Sequence, residues 1–129
     1  MATFSFELVS PERVLFSGDA TSVVVPGAEG DMTVLANHAP VMTALRAGIV
    51  TVDGGKRLFV RGGFADVTPA GLTLLAEQAV AVEDIDMEKV SAQLRDAQED
   101  LRDAKTDEIR ARAQETIDAL QAMLAAVRH

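Results

Sequence analysis

Val23-Val24-Val25-Pro26-Gly27-Ala28-Glu29-Gly30-Asp31-Met32-Thr33-Val34-Leu35-Ala36-Asn37-His38-Ala39-Pro40 reads as a strand, a glycine-rich turn, a second strand and a polar loop. The β-branched run at its start packs well on a pleated surface. Pro26-Gly27 is expected to stop that strand, because proline offers no ladder donor and glycine tolerates positive φ. Two glycines, two acids and the internal histidine fall between Gly27 and His38, while the flanking segments alternate plainly. Conspicuous loop chemistry on a regular scaffold predicts a binding surface here.

Toward the N-terminus, Phe4, Phe6 and Leu8 alternate with Ser5 and Glu7, the period of a strand with one buried face. Ser10-Pro11-Glu12 interrupts it, Arg13 to Phe16 resumes, and Ser17-Gly18-Asp19 reads as another turn. Toward the C-terminus, Val41 to Leu45 leads through Gly48 to the strand Ile49–Val52, and Asp53-Gly54-Gly55 is a strong hairpin signal. Lys56 to Arg61 and Phe64 to Thr68 are strands separated by Gly62-Gly63, a bulge or a close backbone approach. Beyond the turn Pro69-Ala70-Gly71, Leu72 to Ala76 and Gln78 to Val82 complete the series. Short strands at this spacing predict an antiparallel sandwich or barrel.

From Glu83-Asp84-Ile85-Asp86 onward there is neither glycine nor proline. The period changes to steps of three and four: Met87, Val90, Leu94, Ala97, Leu101 and Ala104, then Ile109, Ala113, Ile117, Leu120, Leu124 and Val127. Asp86 and Thr106 stand where N-caps belong, and Arg95/Glu99 and Glu108/Arg112 have the spacing of helix ion pairs. The predicted architecture is β + α: an N-terminal antiparallel β-sandwich over residues 1–84 and a C-terminal antiparallel two-helix hairpin over 85–129. Alanine and methionine make up half of the first stripe. Burial returns only about 0.8 kcal/mol per methylene against about 1–2 kcal/mol per ordered backbone residue. The seam alone therefore predicts a hairpin able to detach or rearrange.

A net charge of −8 on 129 residues, with acids in excess in both parts, argues against a nucleic-acid partner. The chain has no cysteine, hence no disulfide framework, and no apolar run of membrane-spanning length. The first twelve residues carry no lysine or arginine and include Glu7, unlike a secretory signal. Among titratable groups, His38 and His129 are the histidines, and no serine stands in a strained glycine elbow. Asp96, Glu99, Asp100 and Asp103 are interleaved with Arg95 and Arg102, as on a solvated helix face. Neither phosphate-binding glycine fingerprint nor a metal-ligand spacing occurs. No catalytic residue, metal site or cofactor is expected, and the residues alone point to a non-catalytic interaction protein.

Val9-Ser10-Pro11-Glu12, Phe16-Ser17-Gly18, Val25 to Asp31, His38 to Leu45, Gly62-Gly63-Phe64 and Leu74-Leu75-Ala76-Glu77, in this order, resemble the epsilon-subunit family of F-type ATP synthases. The resemblance implies a flattened sandwich of about ten strands with a two-helix appendage. It further implies a place at the foot of the central rotor stalk, on the gamma subunit and the ring of c subunits, coupling proton-driven rotation to ATP synthesis. The implied location is peripheral, on the cytoplasmic face of a bacterial inner membrane, with membrane contact only through the complex. Glu29, Gly30 and Asp31 would dock onto the ring, and Asn37, His38, Ala39 and Pro40 would contact gamma or the ring. The hairpin would reach the beta subunit and regulate hydrolysis, weakly here because acids outnumber bases between Ser91 and His129. Nucleotide-binding members share a segment matched by Ile85 and Asp86, but Lys89 replaces its arginine and cannot reproduce the guanidinium fork. An alternative remains open: a free-standing regulatory sandwich with a ligand-sensing helical hairpin.

Overall fold

The computed structural model describes residues 2–128; His129 lies outside them. Two compact units divide the chain, Met1–Ala81 and Val82–His129.

The first unit contains β1 (Phe4–Val9), β2 (Val14–Ala20), β3 (Ser22–Gly27), β4 (Gly30–Leu35), β5 (Val41–Ala44), β6 (Gly48–Val52), β7 (Lys56–Thr68) and β8 (Gly71–Ala81). They are ordered β2-β1-β8-β7-β6-β3-β4, with β5 also paired to β7. The segments expected as four separate strands are the two long strands β7 and β8. The first half of β7 pairs with β6 and its second half with β5, so one strand serves both layers of a sandwich. Counting the halves separately recovers the roughly ten strands implied by the resemblance.

Alternation sets the core. Phe6, Leu8, Val23, Val25, Val50, Leu58, Val60, Ala65 and Leu74 are each wholly buried and belong to one apolar cluster. Removing this much apolar surface from water is the main favourable contribution to folding.

Several sequence expectations need correction. The sandwich is not wholly antiparallel, because β1 lies parallel to β8 from Ser5↔Gly71 to Val9↔Leu75. Ser17-Gly18-Asp19 is not a turn: pairing with β1 keeps it extended, with Gly18 opposite Phe6, whose ring lies 5.1 Å from that of Phe16. The corner falls instead at Thr21, between β2 and β3. Pro26-Gly27 does not stop β3 either. Pairing with β6 reaches only Val23 and Val24, so on that edge Pro26 has no ladder to break, its carbonyl accepts the Arg46 N–H at 3.0 Å, and on the other edge it stays paired with Asp31 of β4. The true β3–β4 turn is the pair Ala28-Glu29, closed by Gly27↔Gly30. At Gly62-Gly63 the register of β7 on β8 is the same on both sides, so no residue is inserted and the close-approach reading is the right one. A Cβ at Gly63, where φ is +101°, would fall 1.8 Å from the Leu75 carbonyl oxygen.

The second unit begins earlier than the composition change suggests. Val82–Asp84 is a single 3-10 turn that packs with the helices, where Val82 was expected to end a strand. Helix α1 (Met87–Asp103) is capped by Asp86, whose Oδ1 accepts the Glu88 and Lys89 N–H groups at 3.0 and 3.2 Å. Helix α2 (Asp107–Arg128) is capped by Thr106, whose Oγ1 accepts the Ile109 N–H at 3.1 Å. The helices pack on each other as a hairpin. Val90, Ala97, Ala113, Ile117, Leu120 and Leu124 are buried as their spacing requires, and Ala119, Met123 and Ala126 widen the buried face of α2. Among the described residues, the ion pairs on the helices are Arg110–Asp107 at 2.9 Å and Arg102–Asp103 at 3.6 Å rather than the pairs expected from four-residue spacing.

Candidate functional surface

The tip of the β3–β4 hairpin exposes Ala28, Glu29, Gly30 and Asp31. Gly30 has φ +138°, which lets the chain re-enter β4 directly after the two-residue turn. The Ala28 N–H donates to the Ala44 carbonyl at 2.8 Å, and the Asp31 carboxylate pairs with the Arg46 guanidinium. Asn37, His38, Ala39 and Pro40 form the loop at the other end of β4, so the two expected segments are neighbours in sequence but not in space. Five strand steps of about 3.3 Å separate them by roughly 17 Å. Asn37 takes φ +62°, which asparagine tolerates better than most residues, and the His38 N–H donates to the Leu35 carbonyl at 3.3 Å. The His38 ring is half-buried, and its Nδ1 donates to the Ala39 carbonyl at 2.7 Å.

The nucleotide candidates lie at the start of the second unit. Asp86 uses its carboxylate as the α1 cap, Lys89 is exposed, and the Ile85 N–H closes the 3-10 turn onto Val82 at 3.2 Å. Asp96, Glu99, Asp100 and Asp103 are exposed along α1.

Sequence reasoning missed two features. The first is Asp53, which was read only as a turn residue. With Gly54 it forms a turn with both φ values positive, +53° and +73°, the geometry that matches strand twist. Its carboxylate also crosses to the Thr21 corner. There it accepts the Thr21 N–H at 2.7 Å, the Thr21 hydroxyl at 2.8 Å and the Ser22 N–H at 3.0 Å. The Ser22 N–H above all, then the two Thr21 donors, hold the Asp53 carboxyl below the usual carboxylate range.

The second is an apolar row on the outer face of one layer. Val14 pairs with Val9 just past a register shift between β1 and β2, Val9 pairs with Leu75, Leu75 with Phe64, and Phe64 with Ala44, crossing β2, β1, β8, β7 and β5. Val14, Leu75 and Phe64 are 56%, 55% and 56% exposed. Alternation forces this outcome: Leu8, Leu74 and Ala65 face the core, so Val9, Leu75 and Phe64 must face out. The adjacent apolar pairs Leu8-Val9 and Leu74-Leu75 were the available signal. A contiguous exposed apolar row of this kind marks a surface for another protein.

A sandwich with an apolar outer row, a braced acidic hairpin tip and a helical appendage has the features of a component of a larger assembly. The profile of the family described as "ATP synthase, Delta/Epsilon chain, beta-sandwich domain" matches residues 3–82. The "ATP synthase epsilon chain" of Mesorhizobium japonicum is 52% identical over 128 residues, covering 96% of this chain and 95% of that relative. That of Maricaulis maris is 54% identical over 127 residues, covering 96% of each. Among solved structures, a chain of the Euglena gracilis mitochondrial ATP synthase superposes with a TM-score of 0.84 at 22% identity. It covers 98% of this chain and 82% of that one, a likeness of fold. The chain belongs to the ATP synthase epsilon-chain family, whose members are non-catalytic subunits of the rotor.

Proposed function

We propose that this chain is the coupling subunit at the foot of the central stalk, joining the gamma subunit to the c-ring so that proton-driven rotation is transmitted to ATP synthesis. The row Val14–Val9–Leu75–Phe64–Ala44 carries the proposal, because an exposed apolar face five strands wide needs a partner of matching character. Gamma is that partner, and the exposed hairpin tip with Glu29, Gly30 and Asp31 meets basic groups on the polar loops of the ring. Asn37, His38, Ala39 and Pro40 form a second contact, toward gamma. Among the described residues no helix is long and apolar enough to cross a membrane. The subunit accordingly sits peripherally on the cytoplasmic face of the bacterial inner membrane, held there through the complex. The hairpin regulates hydrolysis only weakly, since acids outnumber bases along it and an approach to the beta subunit gains little from charge.

The test is capture of purified gamma by the full chain. Phe64→Glu and Leu75→Glu place charges in the row without touching the core, so each variant should fold and lose gamma by at least tenfold, about 1.4 kcal/mol. Undiminished capture by the folded double variant refutes the assignment of this face. Hydrolysis by the catalytic head rebuilt with gamma, comparing full length with a chain ending at Met87, measures the hairpin. A small rise on truncation is expected; a large one makes it a strong inhibitor.

A further inference from the structure

The two acids of the hairpin tip are not equivalent. Asp31 is ion-paired with Arg46, whereas Glu29, at the apex of the turn, has no ion pair among the described residues. Arg46 is tied to the tip through its backbone as well: its N–H donates to the Pro26 carbonyl at 3.0 Å, and the preceding Leu45 bridges to Gly27 and donates to the Gly63 carbonyl at 2.9 Å. The fold also keeps space for the guanidinium. A Cβ at Gly48 would stand 2.9 Å from the Pro26 Cβ and 3.2 Å from the Arg46 Nη1, so a side chain there would displace both.

We propose that Arg46 is a positioning residue that neutralises and fixes Asp31, so that the tip presents one working anion, Glu29, to a basic partner loop. The inference rests on the reading that this tip docks onto the ring. Its charge at the contact is then a single negative one, although the sequence shows two acids. The partner fit is correspondingly local: one ammonium or guanidinium opposite Glu29, with the Asp31–Arg46 pair acting as a neutral brace that holds the turn at its angle. An attraction between exposed charges is screened by salt, so the contribution of Glu29 fades as ionic strength rises.

The test uses the complete synthase reconstituted in vesicles after exchange of this subunit, reading protons pumped per ATP hydrolysed at low and high salt. Glu29→Gln should lower coupling several-fold at low salt and flatten its salt dependence. Asp31→Asn and Arg46→Ala should each give a smaller loss, and the exchanged pair Asp31→Arg/Arg46→Asp should restore coupling, because a brace works in either polarity. Failure of the exchanged pair, together with a loss in Asp31→Asn equal to that of Glu29→Gln, would show that Asp31 meets the ring itself and overturn the inference while leaving ring docking intact. Unchanged coupling in Glu29→Gln and Asp31→Asn alike overturns ring docking by the tip and the inference with it. Thermal unfolding of each free chain confirms that the exposed substitutions leave the sandwich folded.

Discussion

The core of the sandwich takes large side chains to full burial, with Phe6, Leu8, Leu58 and Leu74 wholly enclosed by residues far away in sequence. The helical hairpin is built differently: Val90, Ala97, Ala113 and Ile117 line its seam, all slightly exposed and two of them alanines. A buried leucine or phenylalanine contributes about 1.5–3 kcal/mol and an alanine methyl only about 0.8 kcal/mol. The sandwich therefore has a core that closes on itself, while the hairpin relies on helix propensity, two caps and a shallow seam. A coupling element needs the first to stay rigid under load. The second has the shallower seam, which the proposed regulation of hydrolysis would open at lower cost.

Gly63→Ala should have the largest effect, because its Cβ collides with the Leu75 backbone carbonyl at a φ that alanine avoids. A loss of about 3 kcal/mol or more in urea unfolding followed through the β-sheet signal is expected. Wild-type stability would show that β7 and β8 have slack at the point where the two layers share them. Ile117→Ala comes next, at about 2–3 kcal/mol. Hydrogen exchange should show lost protection in α1 and α2 and none in β7 and β8. Equal losses in both would dissolve the contrast and make the chain one cooperative unit.

Asp86→Ala removes the α1 cap and should cost about 1 kcal/mol, read as faster exchange at Glu88 and Lys89. The smallest effect belongs to the sandwich. Asp53→Gly preserves the positive φ of the turn but removes the carboxylate that accepts from Thr21 and Ser22. Because folding lowers the Asp53 pKa, its stabilisation is present above the ordinary carboxylate value and lost as pH falls through the lower folded one. The thermal midpoint of Asp53→Gly should lie below that of the wild type near neutral pH. The two should converge in acid; a gap that persists there would assign the effect to packing.

The contrast also governs what could be read in advance. Both helices, their caps and six of the buried seam positions were legible, since helical burial follows from spacing within one segment. Turn positions in the sandwich were legible only where the turn chemistry is local, as at Asp53-Gly54. Gly18 and Pro26 misled because a glycine or proline breaks a strand only when no partner strand overrides it, and β1 and β4 do so here. Among the docking residues, Glu29 and His38 could be named from the sequence. The roughly 17 Å between their loops, and the engagement of Asp31 by Arg46, depend on pairings across the fold.

By itself the sequence determined two regions of different periodicity, an excess of acids in each, and, through its ordered motifs, the family. These are properties of residue type and short-range spacing, which backbone geometry converts directly into strands and helices. Only the tertiary structure decided that β1 runs parallel to β8 and that an aspartate on the β6–β7 hairpin ties down the corner between β2 and β3. It also decided that Val14, Val9, Leu75, Phe64 and Ala44 line up as one face. Sheet register is the physical reason: alternation says which way a side chain points, but its neighbours on that face are chosen by which strands pair and where.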